Sequence, residues 1–274
     1  MLMSCVPVAD DGEEVCANCG KFGSDTVKLK NCTGFCLVKF CGGDDCQRAH
    51  RSAAELKDKQ LYSQGHERPK GDFCPICTLP IPLPTYEHSA FLVCCMKMIC
   101  HGCLLAMEKR GMDDCPFCRS PILEKDAYDL TIIEARVLKK DPEAMTFLGG
   151  QYFAGQFGLQ KDSKKAVELW TEAAELGSIE ALYSLGNEYG RGEMVQQDKA
   201  KAAEFHTKAA IRGHALARYY LGLYEAGKGN VDRAVRHILI SAKMGHYDSV
   251  ESIKRAFMIG KATKEQYAEA LKGY

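Results

Sequence analysis

Beyond Cys118 this 274-residue chain contains no cysteine, although its first 118 residues hold 15. Any thiol chemistry is therefore confined to the first part of the chain. The remainder shifts to Ala, Gly, Leu, Glu and Lys, the composition of packed helices. Long apolar runs are missing too, and none approaches the roughly 20 residues that cross a bilayer. The opening MLMSCVPVADDGEE lacks a basic segment followed by an apolar one. The expectation is an intracellular protein with no membrane partner, cytoplasmic with the nucleus left open. In a reducing compartment dense Cys-x-x-Cys pairs hold zinc more often than they form disulfides. Net charge is absent as well, 36 basic residues standing against 36 acidic ones, so no overall field attracts a polyanion. With neither a basic recognition helix nor an aromatic stacking platform, the sequence argues against nucleic acid as a partner. No coiled-coil heptad is present to favour a dimer.

What is present begins with a middle cluster: Cys74 and Cys77, Cys94 and Cys95, Cys100 and Cys103, Cys115 and Cys118. Eight thiols suffice for two tetrahedral zinc ions. A Cys-x-x-Cys turn aims two sulfurs at one metal, and a second turn from elsewhere in the chain completes the tetrahedron. A segment of about 50 residues buries too little apolar surface to fold alone, so metal supplies much of its folding free energy.

The words Cys74-Pro75-Ile76-Cys77 and Cys115-Pro116-Phe117-Cys118-Arg119-Ser120-Pro121 resemble the two ends of a ligase-type RING finger over residues 73–123. The resemblance implies that the first and third pairs share one zinc and the second and fourth pairs the other. It implies that Ile76 and Pro121 contact a ubiquitin-conjugating enzyme, and that Arg119 hydrogen-bonds both that enzyme and ubiquitin, a task suited to a planar, permanently charged fork. The commonest RING pattern puts histidine near Lys97, and an ammonium cannot ligate. The spacing is closer to the all-cysteine variant, whose second pair is Cys-x-Cys, but here the spacer is missing. Adjacent residues in an extended chain point to opposite sides, so Cys94 and Cys95 need a local bend to share a metal; His88 or His101 could replace one of them. Without the resemblance, Ile76 reads as a small-core side chain, Arg119 as a solvated charge, and the module as a structural or docking element.

Nearer the start, Cys16-x2-Cys19, Cys32-x3-Cys36 and Cys41-x4-Cys46 with His50 resemble a MYND finger over residues 16–55, a module that binds short peptide motifs. The resemblance implies one zinc on Cys16, Cys19, Cys41 and Cys46. A second would use Cys32 and Cys36, but its two remaining family positions are Ala54 and Asp58, which leaves His50 to complete a degenerate site. One or two zinc ions are expected in this module, and two in the RING-like one. Cys5 has no assigned role.

After residue 142 the chain repeats itself. Glu143-Ala144-Met145-Thr146-Phe147-Leu148-Gly149 returns from Glu180 and again from Leu216, a period of about 36 residues. Each unit continues with a second helix, opened by Asp162, Asp198 or Asp232 as N-cap and closed by Gly177, Gly213 or Gly245. His214 and His246 follow closing glycines and read as turn residues, and Trp170 as a core or groove residue. The pattern resembles the Sel-like repeat, a relative of the tetratricopeptide repeat, and this implies a concave protein-binding surface.

The fold class expected is two small zinc-stabilised modules followed by an all-α helical-hairpin solenoid. Residues 1–15 form a disordered N-terminus and 56–72 a linker. A connecting helix over 124–142 packs on the first repeat, and residues 143–274 hold three repeats and a cap. The function expected is a RING-type ubiquitin ligase without a nucleophile of its own, with conjugating enzyme and a substrate or adaptor protein as partners. The alternative is a non-enzymatic scaffold joining proteins.

Overall fold

A computed structural model describes residues 29–31, 39–41, 55, 56, 58–122, 126–193 and 195–273. The chain forms two compact units, Met1–Ser63 and Gln64–Tyr274. In the first, strands β1 (Leu29–Asn31) and β2 (Lys39–Cys41) pair antiparallel with Leu29 opposite Cys41. Cys16, Cys19, Cys32, Cys36, Cys46 and His50 lie outside the described residues, so of the MYND-like set only the Cys41 backbone is placed.

The second unit opens with the cysteine-rich module. Strands β3 (Ser89–Leu92) and β4 (Lys97–Cys100) form a hairpin with Leu92 opposite Lys97, and helix α1 (His101–Glu108) follows directly. The buried core is only Cys74, Ile81, Leu92, Ile99, Met107 and Cys115. So few side chains do not balance the entropy of ordering such a segment, and two of them are themselves candidate ligands.

Helix α2 (Asp126–Val137) then leads into the repeats: α3 (Pro142–Ala154), α4 (Ser163–Glu175), α5 (Ile179–Arg191), α6 (Lys199–Ala210), α7 (Ala215–Gly227) and α8 (Val231–Lys243). A shorter pair, α9 (Tyr247–Met258) and α10 (Lys264–Ala270), closes the array. α2 ends before Lys140, which takes a left-handed backbone (φ 59°) ahead of the α3 N-cap Asp141. Its Ile133 is fully buried among Met145, Leu148, Tyr152 and Trp170, so α2 does pack on the first repeat.

Small residues set the spacing within each hairpin. Gly149 faces the Trp170 ring, Gly186 the His206 ring and Gly222 the Ile238 side chain. The closing glycines Gly177, Gly213 and Gly245 have φ of 102°, 93° and 90°, conformations that side chains with a Cβ disfavour. Asp162 and Asp198 cap α4 and α6 through their carboxylates. Asp232 does not cap α8: the N-cap is Asn230, whose amide is drawn away to Glu225 Oε2 at 2.7 Å. Asp232 lies instead in the first turn, where a negative charge still suits the helix dipole.

The polar stretch 56–72 is not a free linker. Residues 58–63 are helical. Farther on, the guanidinium of fully buried Arg218 donates to the Gln64 carbonyl, while Gly65 abuts Ala210 and Gly213 abuts Glu67. Polarity alone suggests a linker, but a buried donor on the repeats captures the Gln64 carbonyl.

Candidate metal centres and interaction cleft

The two outer cysteine pairs are built alike. Thr78 N–H donates to the Cys74 carbonyl (2.8 Å) and Cys74 N–H to that of Leu79 (2.9 Å); Arg119 N–H donates to the Cys115 carbonyl (3.0 Å) and Cys115 N–H to that of Ser120 (2.8 Å). The residue after each second cysteine, Thr78 or Arg119, has φ of 61°. Each tight turn points its pair of sulfurs the same way. Isolated bridges Phe73 to Pro80 and Asp114 to Pro121 tie the bases of the turns.

These turns bring the sulfurs into two groups of four, Cys74, Cys77, Cys100 and Cys103, and Cys94, Cys95, Cys115 and Cys118, all within 4.8 Å inside each group. A zinc–sulfur bond of about 2.3 Å gives a tetrahedral edge of about 3.8 Å. The Cys77–Cys100 and Cys94–Cys95 sulfurs are 3.8 Å apart and the Cys95–Cys115 sulfurs 3.4 Å. The adjacent pair shares a group because it sits in the β3–β4 turn, where Cys95 N–H bonds the Leu92 carbonyl and Met96 has φ of 52°. That turn is the required bend, and the group contains neither His88 nor His101.

The donor chemistry fits a thiophilic cation. Burial raises the Cys94 thiol well above the ordinary range, lifts Cys95 to about 11 and Cys103 to about 12. Cys118 falls to about 6 through its neighbour Ser120. At Cys74 burial opposes ionisation, but backbone donors from Cys100, Cys77 and Ile76 outweigh it and bring the thiol to about 6. Four thiolates do not coexist at such distances without a cation, and the two groups could each hold one zinc ion as a closed, four-sulfur structural site.

Ile76 is 43% exposed, so it is not a core side chain. Arg119 and Pro121 are exposed as well. The three stand on or beside the two knuckles.

The module is seated on the solenoid. Val93 and Met96 pack against the first-repeat core, Phe91 stacks on Phe147 (centroids 4.8 Å apart), and Arg136 donates to the Cys94 carbonyl (3.4 Å) while pairing with Asp141 (2.9 Å). Between the module and the inner faces of α3 and α5 remains a cleft of about 860 Å³. His214 caps α7 through Nδ1, accepting from Ala217 N–H, and bonds Glu180 through Nε2 at 3.1 Å. His246 meets Ser249 at the N-terminus of α9 (2.8 Å). Both are turn residues, and Trp170 is core with one edge on the cleft. The knuckles' left-handed residue and the buried polar position shared by Gln151 and Glu188 escaped sequence reasoning. The second leaves a trace in the repeat spacing.

No curated protein matches the chain. A protective antigen of uropathogenic Escherichia coli with an SLR fold is 30% identical over 52% of this chain and 33% of its own (TM-score 0.48). A Sel1 repeat protein from Oxalobacter formigenes is 22% identical over 54% of this chain and 65% of its own (TM-score 0.49). The chain thus spans less than two thirds of either protein. Residues 142–178, 179–214 and 215–246 match the Sel1 repeat family, with boundaries that fall at the start of α3, α5 and α7. The helical array from 142 to 246 is three Sel1 repeats.

Proposed function

We propose that this chain is a RING-type ubiquitin ligase whose Sel1 repeats recruit the protein to be modified. The observation that carries the reading is the interleaving of the cysteine groups: first and third pairs together, second and fourth together. That order ties the chain into a cross-brace and leaves Ile76, Arg119 and Pro121 exposed beside the knuckles. Zinc bound in the two groups would supply folding free energy and no reactive water, since each set of four sulfurs closes the coordination shell.

In this reading the chain contributes no nucleophile. Ubiquitin arrives as a thioester on a conjugating enzyme, which docks on Ile76 and Pro121. Arg119 spans that enzyme and ubiquitin with its planar fork and restricts the thioester to conformations open to attack by a lysine amine. The amine displaces the conjugating enzyme's thiolate, forming an amide, and the gain is one of orientation and preorganised hydrogen bonding.

The test is single-turnover discharge of ubiquitin to free lysine from a panel of loaded conjugating enzymes, using the full chain and its Arg119→Ala variant with zinc content measured on both. Stimulated discharge that is lost in the variant at unchanged zinc content is the expected result. No stimulation across the panel, with zinc bound, leaves a scaffold in which the modules and repeats only bring proteins together.

A further inference from the structure

Equivalent positions of the Sel1 repeats differ where they face the cleft. Glu143 of α3 and Glu180 of α5 occupy the same repeat position. Glu180, whose side chain is 60% exposed, is bonded by His214, and this partner outweighs the desolvation that opposes its ionisation. Glu143 has Ser178 where the next repeat has His214. Glu143 is exposed at the cleft; its carboxyl is raised by partial desolvation, then by the charges of Asp141 and Glu180, against a hydrogen bond from Ser178 that lowers it. Among the described residues no cation pairs with it.

A second position repeats the contrast. Glu188 accepts from Val195 N–H (3.3 Å). Its first-repeat equivalent, Gln151, is only 8% exposed and lines the cleft, yet its Oε1 has no hydrogen-bond partner. A buried acceptor left unmatched is destabilising, so a donor from outside the chain has a gain waiting there. The remaining wall is apolar, formed by Phe91, Phe147, Met98 and Trp170. The basic lining residues Lys70 and Lys97 come from the zinc-module side of the cleft, and the Lys97 ammonium lies 4.3 Å from the Phe117 ring centroid.

We infer that this cleft is the docking site of a short peptide segment presenting a basic side chain, arginine or lysine, beside an apolar or aromatic one. The basic group donates to Glu143 and Gln151 on α3, and the apolar neighbour packs on Phe147 and Trp170. A volume near 860 Å³ lies within the roughly 300–1,000 Å³ of pockets that enclose a ligand. The inference rests on the reading that the repeats recruit protein, and it specifies what they recruit.

Trp170 is the chain's single tryptophan, so its fluorescence reports occupancy directly. The probes are five pools of acetylated, amidated heptapeptides, Gly-X-X-Z-X-X-Gly, with Z fixed as Arg, Lys, Gln, Glu or Leu and X drawn from apolar residues. Titrated into the full zinc-loaded chain, the Arg and Lys pools bind at least tenfold more tightly than the Glu pool. Glu143→Gln removes most of that preference, and Glu143→Lys turns it toward the Glu pool while thermal melting reports an intact fold. Equal binding of all pools, or a preference for Arg and Lys that survives Glu143→Lys, overturns the inference. Ubiquitin discharge by the unmodified chain without peptide is scored separately. Peptide preference without discharge removes the ligase reading alone, and discharge without preference removes only the docking site.

Discussion

Gly186 on α5 and His206 on α6 are in direct contact: a Cβ added at Gly186 would lie 2.6 Å from Cε1 of the imidazole. The same closeness recurs between Gly149 and Trp170, where the nearest atom, Nε1, is also at 2.6 Å. The repeat keeps a glycine on one helix so that a large ring can lie flat across it.

Gly186→Ala and Gly149→Ala should each destabilise the solenoid by about 1–3 kcal/mol, the usual cost of forcing a packed core apart. Gly150 is the control, since nothing lies within 4 Å of its added Cβ. Gly150→Ala should be neutral or stabilising by up to about 1 kcal/mol, because alanine favours the helix. Urea titration followed by helical circular dichroism measures all three, and equal effects at Gly149 and Gly150 would refute the packing account.

Acid should weaken the repeats. Burial holds His206 and His237 neutral, with pKa values brought down to about 3, helped by the charge of His214 in one case and of Arg218 and Arg233 in the other. An unfolded chain restores ordinary values near 6.5. Between about pH 6.5 and pH 3 the unfolded state therefore binds more protons, and stability falls as pH falls, by up to about 1.4 kcal/mol per pH unit for each ring. His206→Leu should remove about one proton's worth of that slope in denaturation curves taken from pH 7 to 4. An unchanged slope would mean that the ring is protonated in the fold.

Chelation should separate the two halves of the second unit. With metal stripped, amide protons of β3 and β4 should exchange freely while those of α5 to α8 stay protected, because only the cysteine module lacks an adequate core. Cys94→Ala and Cys95→Ala should each lower zinc content by one equivalent. Retention of full zinc by either variant would remove that cysteine from the site.

At Arg119 stability and activity should move in opposite directions. Its left-handed backbone (φ 61°) costs a residue with a Cβ about 1–2 kcal/mol, against about 0.5–1 kcal/mol of extra chain entropy for glycine. Arg119→Gly should raise the melting temperature slightly and, under the proposed function, lose ubiquitin discharge. A lower melting temperature would contradict the strain argument.

Much of this architecture is legible in the sequence, and the parts that are not have identifiable physical causes. The period of about 36 residues places every repeat helix, since local pattern and tertiary packing agree there. The pair Cys94-Cys95 looked awkward only while the chain around it was read as extended; the hairpin turn that unites it is a product of strand pairing with Lys97–Cys100. Asp232 was taken for a cap because Asp162 and Asp198 are caps, yet the loop before α8 places Asn230 there and binds its amide elsewhere. The stretch after residue 56 looked like a tether because its partner, Arg218, lies far along the chain. Only in this last case is the decisive neighbour distant in sequence; at Cys94-Cys95 and Asp232 it is a local turn or loop.

The β3–β4 turn serves two masters: its cysteines face the second group of sulfurs, while Val93 and Met96 grip the first repeat and Arg136 holds the Cys94 carbonyl. Whatever free energy this grip adds to metal retention, metal must return to the grip, since linkage is reciprocal. If the second group holds zinc, load or strain on the helical array would change its dissociation constant by the factor through which zinc firms the array.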